Sequence, residues 1–254
     1  MTASDSSWAA EEVQGVPLDV LRTDPRPCAY LPGRTARNLV LLTPFADGRM
    51  YQSLMDAGYR RTGQWFYRPD CAGCCECTPI RVPVDRFAPS RSQRRLLRRN
   101  ADVQLQIGPP SADDEHFQLY CAYQTARHGD DAPCDRSEFV ESFCQSPIES
   151  IEISYRLDAA LIGVGIVDVC AASLSSVYFY FDPAHSSRSL GTWSGLCEIE
   201  ECRRRGLPYW YLGFHVRGCA KMEYKSRFRP YELLGADGRW REPSEARVHS
   251  PSAG

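Results

Sequence analysis

Lysine is almost missing from this chain. Of 254 residues 30 are basic, yet only Lys221 and Lys225 are lysine and the other 28 are arginine. Net charge is nearly absent too: 32 acidic residues leave a formal −2. A nucleic-acid partner must therefore be held by a local patch, since the chain as a whole attracts no polyanion. No long uncharged apolar run occurs, and no charged stretch followed by an apolar one opens the chain, so membrane spanning and secretion both lose support. With 43% hydrophobic and 24% charged residues, wholesale disorder is excluded. The length suits one large domain or two ordinary ones and is too great for a disulfide-stapled miniprotein.

What is present begins with twelve cysteines. Without a secretory signal the expected setting is a reducing cytoplasm, where clustered thiols serve as metal, catalytic or redox groups. Scattered cysteines in apolar patterns (Cys121, Cys144, Cys170, Cys197, Cys202) read as small buried hydrophobes.

Residues 1–14 and 241–254 are polar and aperiodic and read as tails. The body divides near Gly108-Pro109-Pro110-Ser111, giving units at 15–108 and 109–240. In the first, 39–44 and 64–68 and 80–84 are strand-like, a helix runs from Asp47 to Gly58, and 102–108 alternates as a half-buried strand should. In the second, two helical stretches (the later opening at Asp135, with Glu138 three residues on) precede three antiparallel strand patterns. A helix ending in Arg203-Arg204-Arg205-Gly206 and a last strand follow. Antiparallel strands, a crossing helix and a further strand make the class α+β.

Four segments carry chemistry. Cys71-Ala-Gly-Cys74-Cys75-Glu-Cys77 places four thiols within one turn, at spacings suited to Zn²⁺ or an iron–sulfur cluster. The strain of adjacent Cys74 and Cys75 argues against all four ligands coming from this run, and Cys28 is a candidate remote ligand. The alternative is a reduced cluster without metal. Next, Arg81, Arg86, Arg91, Arg94, Arg95, Arg98 and Arg99 face a single opposing Asp85, and those from Arg91 on fall at helical steps that put several on one face. Such a face suits phosphates. Third, Arg188-Ser-Leu-Gly191-Thr-Trp193 opens the crossing helix as an anion site or an ordinary cap, and is similar to the pyrophosphate loop of GCN5-related N-acetyltransferases, with the bulk of Trp193 as a departure. Fourth, both lysines lie in Lys221-Met-Glu-Tyr224-Lys225-Ser-Arg227-Phe-Arg229-Pro, where a compact ammonium rather than a guanidinium fork is retained. His215 reads as a packed strand-end residue.

Together these segments resemble the bacterial aminoacyl-tRNA–protein transferases, in the aspartate/glutamate leucyltransferase branch of the N-degron pathway. The matching pieces are Pro27-Cys28-Ala-Tyr30-Leu-Pro32-Gly33, Tyr67-Arg68-Pro69, the Cys71–Cys77 run continuing to Arg81, and Phe87-x-Pro-Ser-Arg-Ser-Gln-Arg-Arg with Arg99-Asn100-x-Asp102. In the second half they are Phe181-Asp182-Pro183, the loop from Arg188, Gly206-Leu-Pro-Tyr-x-Tyr-Leu-Gly213 and Lys221 to Pro230. The likeness runs in order from about residue 20 to 234. Eukaryotic arginyl-tRNA–protein transferases look similar in the first half, but Leu31 stands where they have a second cysteine, and Cys75 is lacking from many bacterial relatives.

The resemblance implies a cysteine-containing α/β domain followed by an acetyltransferase-like domain. It also implies leucyl-tRNA as donor, proteins beginning with Asp or Glu as acceptors, a cytoplasmic setting, and no cofactor required for the chemistry. A monomer is the favoured state. On this reading Tyr180 and Asp182 handle or orient the amine. Lys221, Tyr224, Lys225 and Arg227 serve the oxyanion, a phosphate or the acceptor carboxylate. Arg91, Arg94, Arg95, Arg98 and Arg99 take the acceptor stem, with Arg188, Gly191 and Arg229 as further substrate contacts. Either Arg81 or Lys221 reads the acidic first residue. Arginyl donor specificity, a coenzyme-A-dependent N-acyltransferase and a non-catalytic RNA-binding redox module remain as alternatives.

Overall fold

The computed structural model describes residues 7–43, 46–129 and 134–243. A hairpin comes first, β1 (Ser7–Val13) and β2 (Val16–Arg22), turned by Gln14 and Gly15, both at positive φ. A short pair, β3 (Arg26–Pro27) and β4 (Thr35–Ala36), precedes β5 (Asn38–Leu42), α1 (Gly48–Asp56), β6 (Arg60–Thr62) and β7 (Trp65–Pro69). Then come β8 (Cys77–Pro83), α2 (Arg91–Arg99) and β9 (Gln104–Gly108). The second half runs α3 (Asp114–His128), α4 (Arg136–Phe143), β10 (Ser150–Leu157), β11 (Ala160–Val169) and β12 (Ser173–Phe181). It ends with α5 (Leu190–Arg205), β13 (Tyr209–Val216), β14 (Glu232–Leu234) and β15 (Trp240–Arg241), with 3₁₀ segments at Pro183–Arg188 and Ala220–Arg227.

The helices start where their caps dictate. Asp47 accepts from the amides of Arg49 and Met50 to open α1, and Ser90 with Gln93 forms a complete capping box on α2. Asp113 and Asp135 cap α3 and α4, and Gly206 stops α5 in the left-handed conformation.

An eight-stranded sheet, in the order β15-β14-β8-β13-β12-β11-β10-β9, forms the frame. Every neighbouring pair in it is antiparallel except β12 and β13. A five-stranded sheet, β1-β2-β5-β7-β6, stands beside it. Alternation along each strand sorts the core onto two faces. Leu174, Trp210 and Leu212 pack under α2 and α5 with Trp193, Leu196 and Ile199. On the other face Tyr211 joins α1 and the small sheet, while Val164, Ile166 and Tyr180 lie under α3 and α4. The two sheets are tied by a fully buried pair: Arg61 of β6 clamps Asp168 of β11 at 2.7 and 2.6 Å, and Ser150 donates to the same carboxylate.

The α+β class stands, but four expectations need correction. Residues 7–13 are no tail: backbone pairing with β2 makes them a strand, although their side chains carry little apolar signal. At the other end Trp240–Arg241 pairs with β14 and Glu242 meets Arg86, whereas 1–6 and 244–254 lie outside the described residues. The break at 108–111 is a true junction between β9 and α3, yet it does not separate two sheets. β8 from the first half sits between β13 and β14 from the second. Cys121 also departs from its reading, being disulfide-bonded to Cys134.

Candidate active site

The frame opens at the parallel pair β12–β13. Its partners match only over Ser173–Ser175 and Tyr209–Tyr211. Beyond that point β12 skips a register position at Val177, and β13 bulges between Tyr211 and Phe214, with Gly213 at φ +85°. The strands part and leave a wedge. The 3₁₀ segment Ala220–Arg227 lies against β13 there, anchored by Phe228, which packs on Trp210 with ring centroids 4.9 Å apart.

A buried acid sits at the apex. Glu198 of α5 accepts from Trp210 Nε1 at 2.8 Å, from Ser194 Oγ at 3.0 Å and from Ser176 Oγ. Tyr155 extends the chain by donating to Ser194 at 3.1 Å. Burial pushes the Glu198 carboxyl above its ordinary range, because the hydroxyl and indole donors do not fully replace water. Tyr224, half-exposed on the 3₁₀ segment, lies close enough to feel this carboxylate, and burial with that charge raises its phenol to about 12. Ser176, Glu198 and Tyr224 thus line the place where the strands separate.

Two cations stand behind the bulge. Lys225 donates to Phe214 O at 2.9 Å, and Arg60 Nη2 donates to Gly213 O at 2.8 Å. Both are buried, at 7% and 4% exposure. Desolvation, with the Arg60 guanidinium second, lowers the Lys225 ammonium to about 7. A side chain on Gly213 would come within 3.3 Å of Lys225 Nζ, so glycine serves both the positive φ and the close approach.

The arginine helix is placed as its spacing requires. Gln93, Leu96 and Asn100 face inward, while Arg91, Arg94, Arg95, Arg98 and Arg99 are all exposed. Gln93 Nε2 also donates to Arg227 O at 3.2 Å, joining α2 to the segment that closes the wedge. Lys221, Arg227 and Arg229 are exposed on and beside that segment. Arg188 is held by Asp102 at 2.9 and 2.8 Å. Gly191 packs near Phe179, and Trp193 points into the core against Tyr155, so its bulk does not obstruct the outer face of the loop.

Several expected residues lie elsewhere. Tyr180 is fully buried among Tyr120, Phe139 and Phe143, its hydroxyl without a partner among the described residues, and cannot reach an amine in this arrangement. Asp182 caps the 3₁₀ segment Pro183–Arg188 through the Ala184 amide. Arg81 is consumed by Glu232, Asp56 and the Tyr211 hydroxyl and is stacked on Tyr209 and Trp240. Leu105 and Ile107 of β9, expected to alternate into the core, are 43% and 44% exposed and line an open cleft of about 520 Å³ with Leu97 and Trp193.

The thiols gather loosely. Burial raises the Cys77 thiol to about 12, helped by Cys71, Cys28, Cys74 and also Cys219, which sequence reasoning did not place with them. Cys75 is exposed and turned outward. Yet Cys28 and Cys71 accept from the amides of Leu31 and Arg37, and among the described residues no three His, Cys, Asp or Glu side chains converge to hold a metal ion.

Glu198 and Arg60 were missed by sequence reading. An acid four residues after Ser194 on the apolar face of the crossing helix was a usable signal for the first. Nothing in the pattern around Arg60-Arg61 distinguishes one arginine from the other.

Comparison with known proteins decides the family. Residues 26–95 match the model for the N terminus of arginine-tRNA-protein transferase, and residues 115–235 match that for its C terminus. The chain belongs to this transferase family. The transferase is 41% identical over 226 residues to an aspartate/glutamate leucyltransferase of Marinobacter nauticus, covering 87% of this chain and 94% of the relative. It is 42% identical over 231 residues to one from Stenotrophomonas maltophilia, covering 87% and 91%. Among solved structures it is similar in fold to FemX, with a TM-score of 0.51 at 8% identity, over 89% of this transferase and 86% of FemX. No helix among the described residues of the transferase is long and apolar enough to cross a membrane.

Proposed function

We propose that this transferase moves leucine from leucyl-tRNA to the α-amine of proteins beginning with Asp or Glu, marking them for degradation. Near-full-length similarity to relatives bearing the leucyltransferase name supports the donor and the acceptor. The observation that carries the reading is the bond from Gln93 to Arg227 O, which joins an exposed arginine face to the segment closing the wedge. A tRNA acceptor stem on the outer face of α2 would then bring its 3′ end to the opening between β12 and β13.

The chemistry needs little from the protein. The ester is already activated; the neutral α-amine attacks its carbonyl, forming the C–N bond and an oxyanion. Collapse of that intermediate breaks the ester C–O bond, and the ribose oxygen leaves with a proton while the amine surrenders one. On this reading Ser176 takes the amine proton while passing its own to the Glu198 carboxylate, to which it is hydrogen-bonded, and the Tyr224 hydroxyl donates to the oxyanion. Lys221, Arg227 and Arg229 are left for the terminal phosphates.

A matrix of leucyl- and arginyl-tRNA against peptides differing only in residue one tests the proposal. Leucine should pass to Asp- and Glu-first peptides; no transfer with competent controls would refute it. Replacing Arg94, Arg95, Arg98 and Arg99 by Ala should weaken tRNA binding and flatten its dependence on salt, by roughly 0.7–0.9 in log–log slope for each phosphate no longer neutralised. An unchanged slope would remove α2 from the RNA surface.

A further inference from the structure

An acidic first residue must be recognised by a cation, and the structure narrows the choice. Arg81 is saturated by two carboxylates and a tyrosine hydroxyl. Arg61 is spent on Asp168, Arg68 on Glu11, Arg22 on Asp70 and Arg188 on Asp102. Lys221, Arg227 and Arg229 are exposed, where water and salt blunt discrimination between a carboxylate and its amide.

Arg60 and Lys225 differ from all of these. Both are buried, and neither has a carboxylate partner among the described residues. The Nε and Nη1 of Arg60 have no hydrogen-bond partner among the described residues, its plane resting instead near the rings of Tyr211 and Phe214. Lys225 donates one bond, to Phe214 O, of the three an ammonium can make. The two side chains are moored to successive carbonyls of the β13 bulge, at Gly213 and Phe214, just past the last residue paired with β12. Two cations fixed side by side without a counter-ion are costly to bury, and the cost is relieved when an anion arrives between the strands.

We propose that Lys225 contacts the side-chain carboxylate of the acceptor's first residue and that Arg60, seated behind it, is the positioning residue that fixes the bulge and supplies the second positive charge. The inference rests on the acceptor class proposed above. It accounts for the choice of an acid over its isosteric amide, since Asn or Gln would leave both cations uncompensated.

The test measures the ratio of kcat/KM for an Asp-first peptide to that for the matching Asn-first peptide, and separately the ratio of their affinities for the protein without tRNA. Wild type should favour Asp by about 100-fold or more, as expected where a buried partner group would otherwise go unpaired. In Lys225→Met and in Arg60→Met that ratio should fall at least about tenfold, while Arg60→Lys, which keeps the charge, should retain most of it. A purely structural role, or a role for Lys225 in proton transfer alone, would lower Asp and Asn transfer together; an unchanged ratio therefore overturns the inference. Should Arg60→Met not fold, Lys225→Gln decides by the same ratio. The binding arm needs no donor, so absence of leucyl transfer would refute the proposed function while peptide affinities still judge the cation pair. Equal wild-type affinity for Asp- and Asn-first peptides would overturn the inference by itself.

Discussion

His116 shows how far a single residue can be decided by its neighbours. It bridges Asp113 through Nδ1 at 2.6 Å and Glu152 through Nε2 at 2.8 Å, and it is buried. Burial by itself would push its pKa down, but the two hydrogen bonds and the charges behind them prevail and raise it to about 9. The folded value lies above the ordinary 6.5 of an unfolded chain. Its contribution to stability is therefore complete below about pH 6.5 and is lost as pH rises through about 9. Urea unfolding of wild type and His116→Gln should differ by about 2–3 kcal/mol at about pH 6 and by much less at about pH 10. An equal gap at both pH values would mean that the imidazolium is not what holds α3 to β10. His116 carried no role in the sequence reading, because its two acids lie at 113 and 152 and only the fold brings the second one near.

At the scale of elements, α5 is the piece on which the site depends. Gly195 faces the rings that fill the wedge: a Cβ there would lie 2.6 Å from Trp210 and 2.8 Å from Phe228. Gly195→Ala should cost about 1–3 kcal/mol by overpacking, seen as a fall in Tm of several degrees. It should also lower transfer, since Trp210 is one of the three donors that hold Glu198. An unaltered Tm would show that α5 can retreat from the sheet. The start of α4 and the end of α5 were legible because caps and stops are local: Asp135 with Glu138 three residues on, and Gly206. β9 was legible as a strand but not in its burial, because alternation says which residues share a face and not whether anything covers that face. β1 was illegible for the opposite reason, its order coming from backbone pairing rather than from side chains.

At the scale of the molecule, the halves seen by the two family matches are not independent folding units. β8 is flanked by β13 and β14, and Arg61 of the first half buries its charge against Asp168 of the second. Cutting the chain after Gly108 should leave neither fragment stably folded, with protection of β8 amides from hydrogen exchange returning only when both are present. A fragment 109–254 with a cooperative unfolding transition of its own would contradict this. The wedge follows from the same interleaving: β13 is drawn toward β8 beyond Tyr211 and so abandons β12.

Most elements from β5 to β13, the exposed arginine face, the family and the segment around Lys221–Arg229 could be read from the chain, because each depends on spacing and residue type within a few turns. Tertiary structure alone decided which charges are spent and which are spare. Arg81 and Arg60 are both arginines on strands of the first half, yet one is neutralised by Asp56 and Glu232 and the other is buried without a carboxylate among the described residues. Tyr180 and Ser176 share a strand, yet a skipped register position and a change of face put one in the core and the other at the wedge. Pairing of charges and the facing of strands are set by residues far apart in the chain, and that distance is closed only when the sheet forms.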